Sequence, residues 1–197
     1  MHALADYIRT YDDALPGAFC RQLIDGFEAS PQFQVPNGRG YRAALEESRW
    51  TEMNLSRLGD DAFLGFFMTR IEEALARYNA EVSLSLPIPM RPRIDRLTMK
   101  KYRANSGDGF QPHFDAVDAV AGRYMVFLWY LNDVAEGGGT RFMDLDVEVQ
   151  PRAGRLLMFP PYWMFQHVGT PTVSGDKYIL STYLLFDATG GPESAHR

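Results

Sequence analysis

Residues 101–115 read KYRANSGDGFQPHFD, and this stretch decides how the second half of the chain is interpreted. It starts as a short β-type run, passes through a turn rich in Gly, Asn, Ser and Asp, and ends in a His-x-Asp pair. Residues i and i+2 of a strand point to the same face, so the His113 imidazole and the Asp115 carboxylate are expected to converge. Such a pair alone fits a surface strand equally well, so its meaning depends on residues elsewhere.

A second internal histidine completes a metal-ligating pattern. Two of the four histidines lie at the chain ends, which leaves His167 as the partner for His113. His167 follows Asp115 beyond several predicted strands and can supply a third ligand from across a barrel. Two imidazoles and one carboxylate on one face of an octahedron leave three positions open, which suits non-haem Fe(II) that binds a cosubstrate together with O₂.

A lysine shortly after His167 strengthens this interpretation. Lys177 belongs to the sequence GDKY, which opens a run of otherwise almost wholly apolar residues. Burying an ammonium group is costly unless an anion meets it. A dicarboxylic acid that chelates the metal at one end and forms a salt bridge with Lys177 at the other end meets that requirement.

On both sides of these motifs, the residue pattern in the second half of the chain predicts short strands separated by Gly, Pro, Asn and Asp. The last run alternates apolar residues on both faces, which predicts a central position in a sheet. The predicted strands cover residues 94–102, 110–114, 124–131, 146–149, 155–159 and 178–186.

The first half is predicted to be helical. Pro16 can open a helix that runs to about Ala29, and a second helix is predicted from about Asp60 to Glu81 by apolar residues at helical spacing. Residues 31–58 are predicted as loop with one strand. Helices first and strands afterwards indicate an α+β chain, mainly β, whose β part is a sandwich or barrel.

Composition limits the class of protein. The chain has 197 residues, 46% of them hydrophobic and 23% charged, which is typical of one domain able to bury its own core. The net charge of −5 disfavours a nucleic-acid substrate. A single cysteine, Cys20, excludes an intrachain disulfide, and no signal peptide or membrane-spanning run is visible, so we expect a cytoplasmic protein that does not bind membranes.

Four ordered segments resemble the Fe(II)- and 2-oxoglutarate-dependent dioxygenases, specifically the prolyl-4-hydroxylase-like branch. The similarity covers roughly residues 94–186, and no single motif carries it alone. The four segments are KYRANSGDGFQPHFD, GRYMVFLWYLNDVAEGGGTRF, VQPRAGRLLMFPPYWMFQH and HVGTPTVSGDKY. The resemblance implies a double-stranded β-helix, or jelly-roll, with N-terminal supporting helices. We therefore expect one dioxygenase domain over residues 1–197, with helical support and loops in 1–92 and the jelly-roll core in 93–187.

The resemblance also implies roles for individual residues. The positions that match the iron ligands are His113, Asp115 and His167, and Lys177 matches the residue that binds the distal carboxylate of 2-oxoglutarate. Tyrosines that hydrogen-bond the cosubstrate in this branch are matched by Tyr102 and Tyr130, and no catalytic residue beyond the metal ligands is implied. Weaker matches to residues near the substrate are Arg123, Tyr183 and Trp163. A solvated side chain explains Arg123 nearly as well, core packing explains Tyr183 better, and hydrophobic packing explains Trp163 equally well.

The implied activity is oxidative decarboxylation of 2-oxoglutarate coupled to hydroxylation of an unactivated C–H bond, with O₂ as cosubstrate and ascorbate as a candidate reductant. The Asp115 carboxylate favours hydroxylation, because related halogenases lack it so that chloride can bind. The first expected substrate is a prolyl residue in a peptide or protein. The alternatives are a free amino acid or other small molecule, and a non-catalytic, cupin-like metal-binding jelly-roll module. The acidic composition opposes a demethylase of alkylated nucleic acids.

Overall fold

The computed structural model describes residues 2–90 and 93–186. The expected ends of the domain at residues 1 and 197, and the expected ends of its two parts at residues 92 and 187, lie outside these ranges. Within them, no helix has both the length and the hydropathy needed to cross a membrane.

The part of the chain that the structure describes contains two α-helices, and both form where the sequence predicts them. Helix α1 spans Gly17–Glu28 and follows Pro16, while helix α2 spans Asp61–Val82. The Asp60 carboxylate accepts a hydrogen bond of 2.8 Å from the backbone N–H of Phe63, which caps the first turn of α2. The helix ends where Ser83 adopts a left-handed conformation. The predicted helix boundaries agree with the structure to within about one residue.

Over residues 2–90 and 93–186, twelve β-strands account for the rest of the regular structure, together with short 3-10 segments. In chain order they are β1 (Arg9–Tyr11), β2 (Val35–Gly38), β3 (Arg49–Asn54), β4 (Arg93–Ile94), β5 (Thr98–Tyr102), β6 (Phe110–His113), β7 (Arg123–Tyr130), β8 (Thr140–Phe142), β9 (Val147–Val149), β10 (Leu156–Phe159), β11 (His167–Gly169) and β12 (Lys177–Leu185).

The strands form two antiparallel sheets. The larger sheet has the order β1-β10-β7-β12-β5-β3-β2, with β4 also paired to β12, and the smaller sheet has the order β6-β11-β8-β9. Strand β12 is paired on both sides, as its two apolar faces predict. Strands β1, β2 and β3 precede residue 93, so the part expected to give helical support and loops also supplies three strands to the larger sheet.

The apolar residues of the larger sheet divide between two cores. One face packs against α1 and α2, where Phe67 and Ile71 contact a layer that includes Phe127 and Leu180. The opposite face points toward the smaller sheet, and Phe159 of β10 meets Phe142 of β8 edge to face with ring centroids 4.9 Å apart. Two facing sheets with helices outside the larger one confirm the α+β, mainly β, jelly-roll fold.

Three local predictions differ from the structure. Residues 31–58 contain two paired strands, β2 and β3, rather than one. The predicted strand over residues 94–102 is interrupted between β4 and β5. Strands β1, β8 and β11 are not predicted, because such short segments are defined by pairing with neighbouring strands more than by a pattern of their own.

Candidate metal centre and cavity

A cavity of about 430 Å³ lies between the two sheets and brings the predicted triad together. His113 ends β6, His167 begins β11, and the two residues are directly paired in the smaller sheet. Asp115 follows β6 in a turn rather than on the strand, and its backbone N–H donates to the Pro161 carbonyl at 3.0 Å. One nitrogen or carboxylate oxygen from each of the three side chains lies within 4.8 Å of the others.

Backbone carbonyls fix which nitrogen of each imidazole faces the cavity. Nδ1 of His113 lies 2.8 Å from the carbonyl oxygen of Gln111, and Nδ1 of His167 lies 3.0 Å from that of Phe165. A carbonyl oxygen only accepts hydrogen bonds, so each Nδ1 carries the proton and each Nε2 presents a lone pair. Burial and the neighbouring His113 lower the pKa of His167 to about 4, so the His167 ring is neutral at pH 7.

The Asp115 carboxylate is held ionised and is only partly hydrogen-bonded. Burial by itself would raise its pKa, but the interactions with His113 and His167 and a hydrogen bond from the Tyr183 hydroxyl hold the pKa well below its usual range. Its Oδ1 accepts a hydrogen bond of 2.9 Å from the Tyr183 hydroxyl. Its Oδ2 is buried without a hydrogen-bond partner among the described residues, 3.5 Å from Nε2 of His167. Two imidazole lone pairs beside an anionic oxygen without a donor fit a divalent cation such as Fe(II).

Lys177 lies in the same cavity and is only 3% exposed. Its Nζ donates to the Gly138 carbonyl at 2.7 Å and lies 4.8 Å from the centre of the Tyr102 ring, which belongs to the directly paired residue of β5. Among the described residues no carboxylate forms an ion pair with Lys177, and burial, together with the positive charge of Lys100, lowers the Lys177 pKa to about 7. An anion with a terminal carboxylate would relieve this energetic cost.

Gly138 is required where it stands because its backbone has a φ of +71°. A Cβ at this position would also lie 3.3 Å from Cδ of Lys177, closer than ordinary packing. The glycine therefore allows the carbonyl to reach the ammonium group without displacing the lysine stem.

The two tyrosines expected near the cosubstrate differ in position. Tyr102 lines the cavity below Lys177. Tyr130 is fully buried behind the lining, and its hydroxyl donates to Oγ1 of Thr140 at 2.7 Å. Thr140 does line the cavity, so any influence of Tyr130 on a ligand would pass through that threonine.

The three residues weakly matched to the substrate site lie in different environments. Arg123 forms a 2.6 Å ion pair with Asp95 and lies 3.7 Å above the Tyr183 ring, so it is part of a packed network rather than a solvated side chain. Tyr183 lines the cavity and bonds to Asp115, which makes it a positioning residue rather than simple core. Trp163 is 65% exposed and is not among the residues that line the cavity.

The structure adds cavity residues that the sequence motifs did not identify. Lys100 of β5 and Glu52 of β3 face the cavity and are directly paired, and Trp50 and Phe110 stack beside them. The sequence feature that could indicate Lys100 as a cavity residue is its position two residues before Tyr102, which places both side chains on one face of the strand.

Comparison with known proteins agrees with this geometry. A sequence model of the 2OG-Fe(II) oxygenase superfamily matches residues 97–185, which include every residue proposed here to hold metal or cosubstrate. Human procollagen-lysine,2-oxoglutarate 5-dioxygenase 1 is 24% identical over 170 residues. That match covers 84% of this chain and 22% of the human protein, so the chain corresponds to about a fifth of that relative.

Solved structures support the fold. A Pseudomonas putida prolyl-4-hydroxylase superposes with a TM-score of 0.66 at 16% identity, covering 91% of this chain and 92% of the other. A Trichoplax adhaerens prolyl hydroxylase, in complex with a hypoxia inducible factor peptide fragment, gives a TM-score of 0.72 at 16% identity, with 91% and 84% covered. Residues 97–185, which carry the buried triad and most of the jelly-roll, thus match the 2OG-Fe(II) oxygenase superfamily in sequence, and the solved structures match it in fold.

Proposed function

We propose that this chain is an Fe(II)- and 2-oxoglutarate-dependent dioxygenase that hydroxylates an unactivated C–H bond, first of all in a prolyl residue. The observation that carries the proposal is Lys177, a buried ammonium without a carboxylate partner among the described residues, in the same cavity as the triad. A cupin-like module that only binds a metal has no use for such a cation, because its energetic cost would be uncompensated.

The protein's contribution follows from the contacts. His113, Asp115 and His167 would hold the iron, and Lys177 would hold the distal carboxylate of 2-oxoglutarate above the Tyr102 ring. When bound, the ferrous ion and 2-oxoglutarate supply the oxidising chemistry of this superfamily. The carbonyls behind both imidazoles fix the ring orientation and the proton positions, and this support raises ligand basicity.

The prolyl assignment is supported by neighbours of the same fold. The Pseudomonas putida and Trichoplax adhaerens structures are prolyl hydroxylases, and the latter holds a peptide fragment. Sequence relatives instead include the procollagen-lysine dioxygenase, which makes a lysyl residue the second candidate. A free amino acid or another small molecule stays an alternative, and a cytoplasmic location and ascorbate as reductant stay predictions.

The test is an anaerobic titration of the Fe(II)-loaded protein with 2-oxoglutarate, followed by assays of succinate formation. We expect a visible metal-to-keto-acid charge-transfer band, and formation of succinate that increases with one of the prolyl or lysyl peptides or amino acids once O₂ is admitted. Ascorbate is included and omitted in parallel.

Two variants make the test specific. Replacing Lys177 by Met removes the charge and should weaken 2-oxoglutarate about 10- to 100-fold with Fe(II) binding retained, while Lys177→Arg should recover part of the loss. Asp115→Ala should abolish the band by removing iron. A folded wild-type protein that binds Fe(II) but shows no band would rule out the dioxygenase and favour the metal-binding module.

A further inference from the structure

A second lysine, Lys100, lines the cavity. Neither the proposed metal nor the proposed cosubstrate needs this lysine. Lys100 points inward from β5 on the same face as Tyr102. Its Nζ lies 5.4 Å from the ring centre of Trp50 and 5.6 Å from that of Phe110. Both distances are those of cation–π contacts. Burial lowers the pKa of the Lys100 ammonium group, and the nearby charges of Glu52 and Asp115 partly oppose that shift.

No carboxylate in the described part of the chain forms an ion pair with Lys100. Glu52 is its direct cross-strand neighbour on β3, but the Glu52 carboxylate is engaged elsewhere. Oε2 of Glu52 accepts a 2.7 Å hydrogen bond from Nε1 of Trp50, and Oε1 lies 4.0 Å from Arg96. The Lys100 ammonium therefore lines the cavity without a direct ion pair among the described residues, and an anion that enters the cavity can contact it.

The surroundings of Lys100 place that anion close to the triad. The Trp50 and Phe110 rings are stacked with centroids 4.8 Å apart, and the Phe110 ring lies 3.9 Å from that of His113. The ammonium thus lies over a row of rings that ends at a proposed iron ligand. Lys177 pairs with Tyr102, two residues further along β5, which separates the two lysines by roughly 7 Å along the sheet.

We propose that Lys100 binds a carboxylate of the molecule that is hydroxylated, so that the substrate is a free amino acid or the C-terminal residue of a peptide. The inference rests on the proposed dioxygenase function, in which Lys177 takes the distal carboxylate of 2-oxoglutarate and leaves Lys100 for another acid. The Trp50 and Phe110 rings supply an apolar wall for the hydrocarbon part of such a substrate, and a cavity of about 430 Å³ is of a size that suits small ligands.

The experiment measures binding without turnover. Protein loaded with Fe(II) and 2-oxoglutarate is kept free of oxygen and titrated calorimetrically with L-proline, L-lysine, and acetylated dipeptides that end in either residue. Each probe is used as the free acid and as the amide. We expect at least one acid to bind about 10-fold or more tightly than its amide, and the pattern of free amino acids against dipeptides tells the two sources of the carboxylate apart.

Variants of Lys100 test whether this residue causes the preference for an acid over its amide. Lys100→Met should weaken the preferred acid about 10- to 100-fold and leave its amide unchanged, with the 2-oxoglutarate band and affinity retained. Lys100→Arg should keep the preference for acids. The matched control is Lys101→Met, which removes an adjacent lysine that faces Glu28 outside the cavity and should leave the preference intact.

The inference is overturned if no probe binds better as an acid than as an amide, or if Lys100→Met weakens 2-oxoglutarate instead of the acid. Absence of the 2-oxoglutarate band in the wild-type protein would count against the proposed function itself, so the two failures are distinguishable.

Discussion

At the scale of single residues, the Lys177 ammonium is a buried charge in an unfavourable environment. Its pKa falls from 10.5 to about 7, first because of burial and then because of the positive charge of Lys100. The folded state therefore releases a proton that the unfolded chain retains between about pH 7 and pH 10. Stability increases with pH wherever the unfolded state binds more protons.

We predict that the metal-free, ligand-free protein gains stability from pH 7 to pH 9 relative to Lys177→Met. The difference in free energy of unfolding between the wild-type protein and Lys177→Met should grow by up to about 1.4 kcal/mol per pH unit, because one proton is released on folding. Urea denaturation of both proteins at several pH values measures it, and every other titrating group is common to the pair. Parallel stability profiles would show that Lys177 stays charged in the folded state.

Individual site residues can be predicted from the sequence where spacing and polarity point to the same contact. The His-x-Asp pair, the distant histidine and the lysine in an apolar run each predict contacts that the structure brings into one cavity. The sequence does not distinguish Lys100 as a cavity residue, because it stands beside Lys101 and two adjacent lysines are typical of a solvated strand end. The role of Tyr183 cannot be predicted in this way, because a tyrosine that only packs in the core and one that donates a hydrogen bond to Asp115 look the same in the sequence.

At the scale of elements, long periodic segments are the most predictable. Helix α2 repeats its apolar residues over six turns, and β12 alternates over nine residues, so both were predicted close to their observed bounds. Strands β8 and β11 are fixed by pairing with each other instead. Such strands depend on tertiary partners that a single sequence does not show.

The turn that carries Gly138 yields a prediction about an element rather than a side chain. Gly138→Ala forces a β-carbon into a backbone of positive φ and against Lys177, so we expect a loss of about 1 kcal/mol or more of stability and weaker 2-oxoglutarate binding. Gly122→Ala is the matched control, because a β-carbon there meets no atom within 4 Å and φ is not positive. Thermal unfolding and the charge-transfer titration measure both effects. Equal behaviour of the two variants would contradict the role given to the Gly138 turn.

At the scale of the whole molecule, the two ends of the proposed cosubstrate site belong to different sheets. Lys177 stands on β12, which is paired on both sides in the larger sheet, whereas both histidines belong to the smaller sheet. The space between the sheets is set by close-packed residues such as Phe142 and Phe159. Neither end can approach the other without repacking this core.

We predict that this fixed spacing makes the site selective for the chain length of the keto acid. We expect a four-carbon acid such as oxaloacetate to be too short to reach Lys177 and a six-carbon acid such as 2-oxoadipate to be too long, so each should support less than about a tenth of the O₂ consumption measured with 2-oxoglutarate. Comparable rates for all three acids would mean that the separation between the sheets adjusts. If it does not, discrimination among metabolites that differ by one methylene group is built into the spacing of two sheets rather than into any single contact.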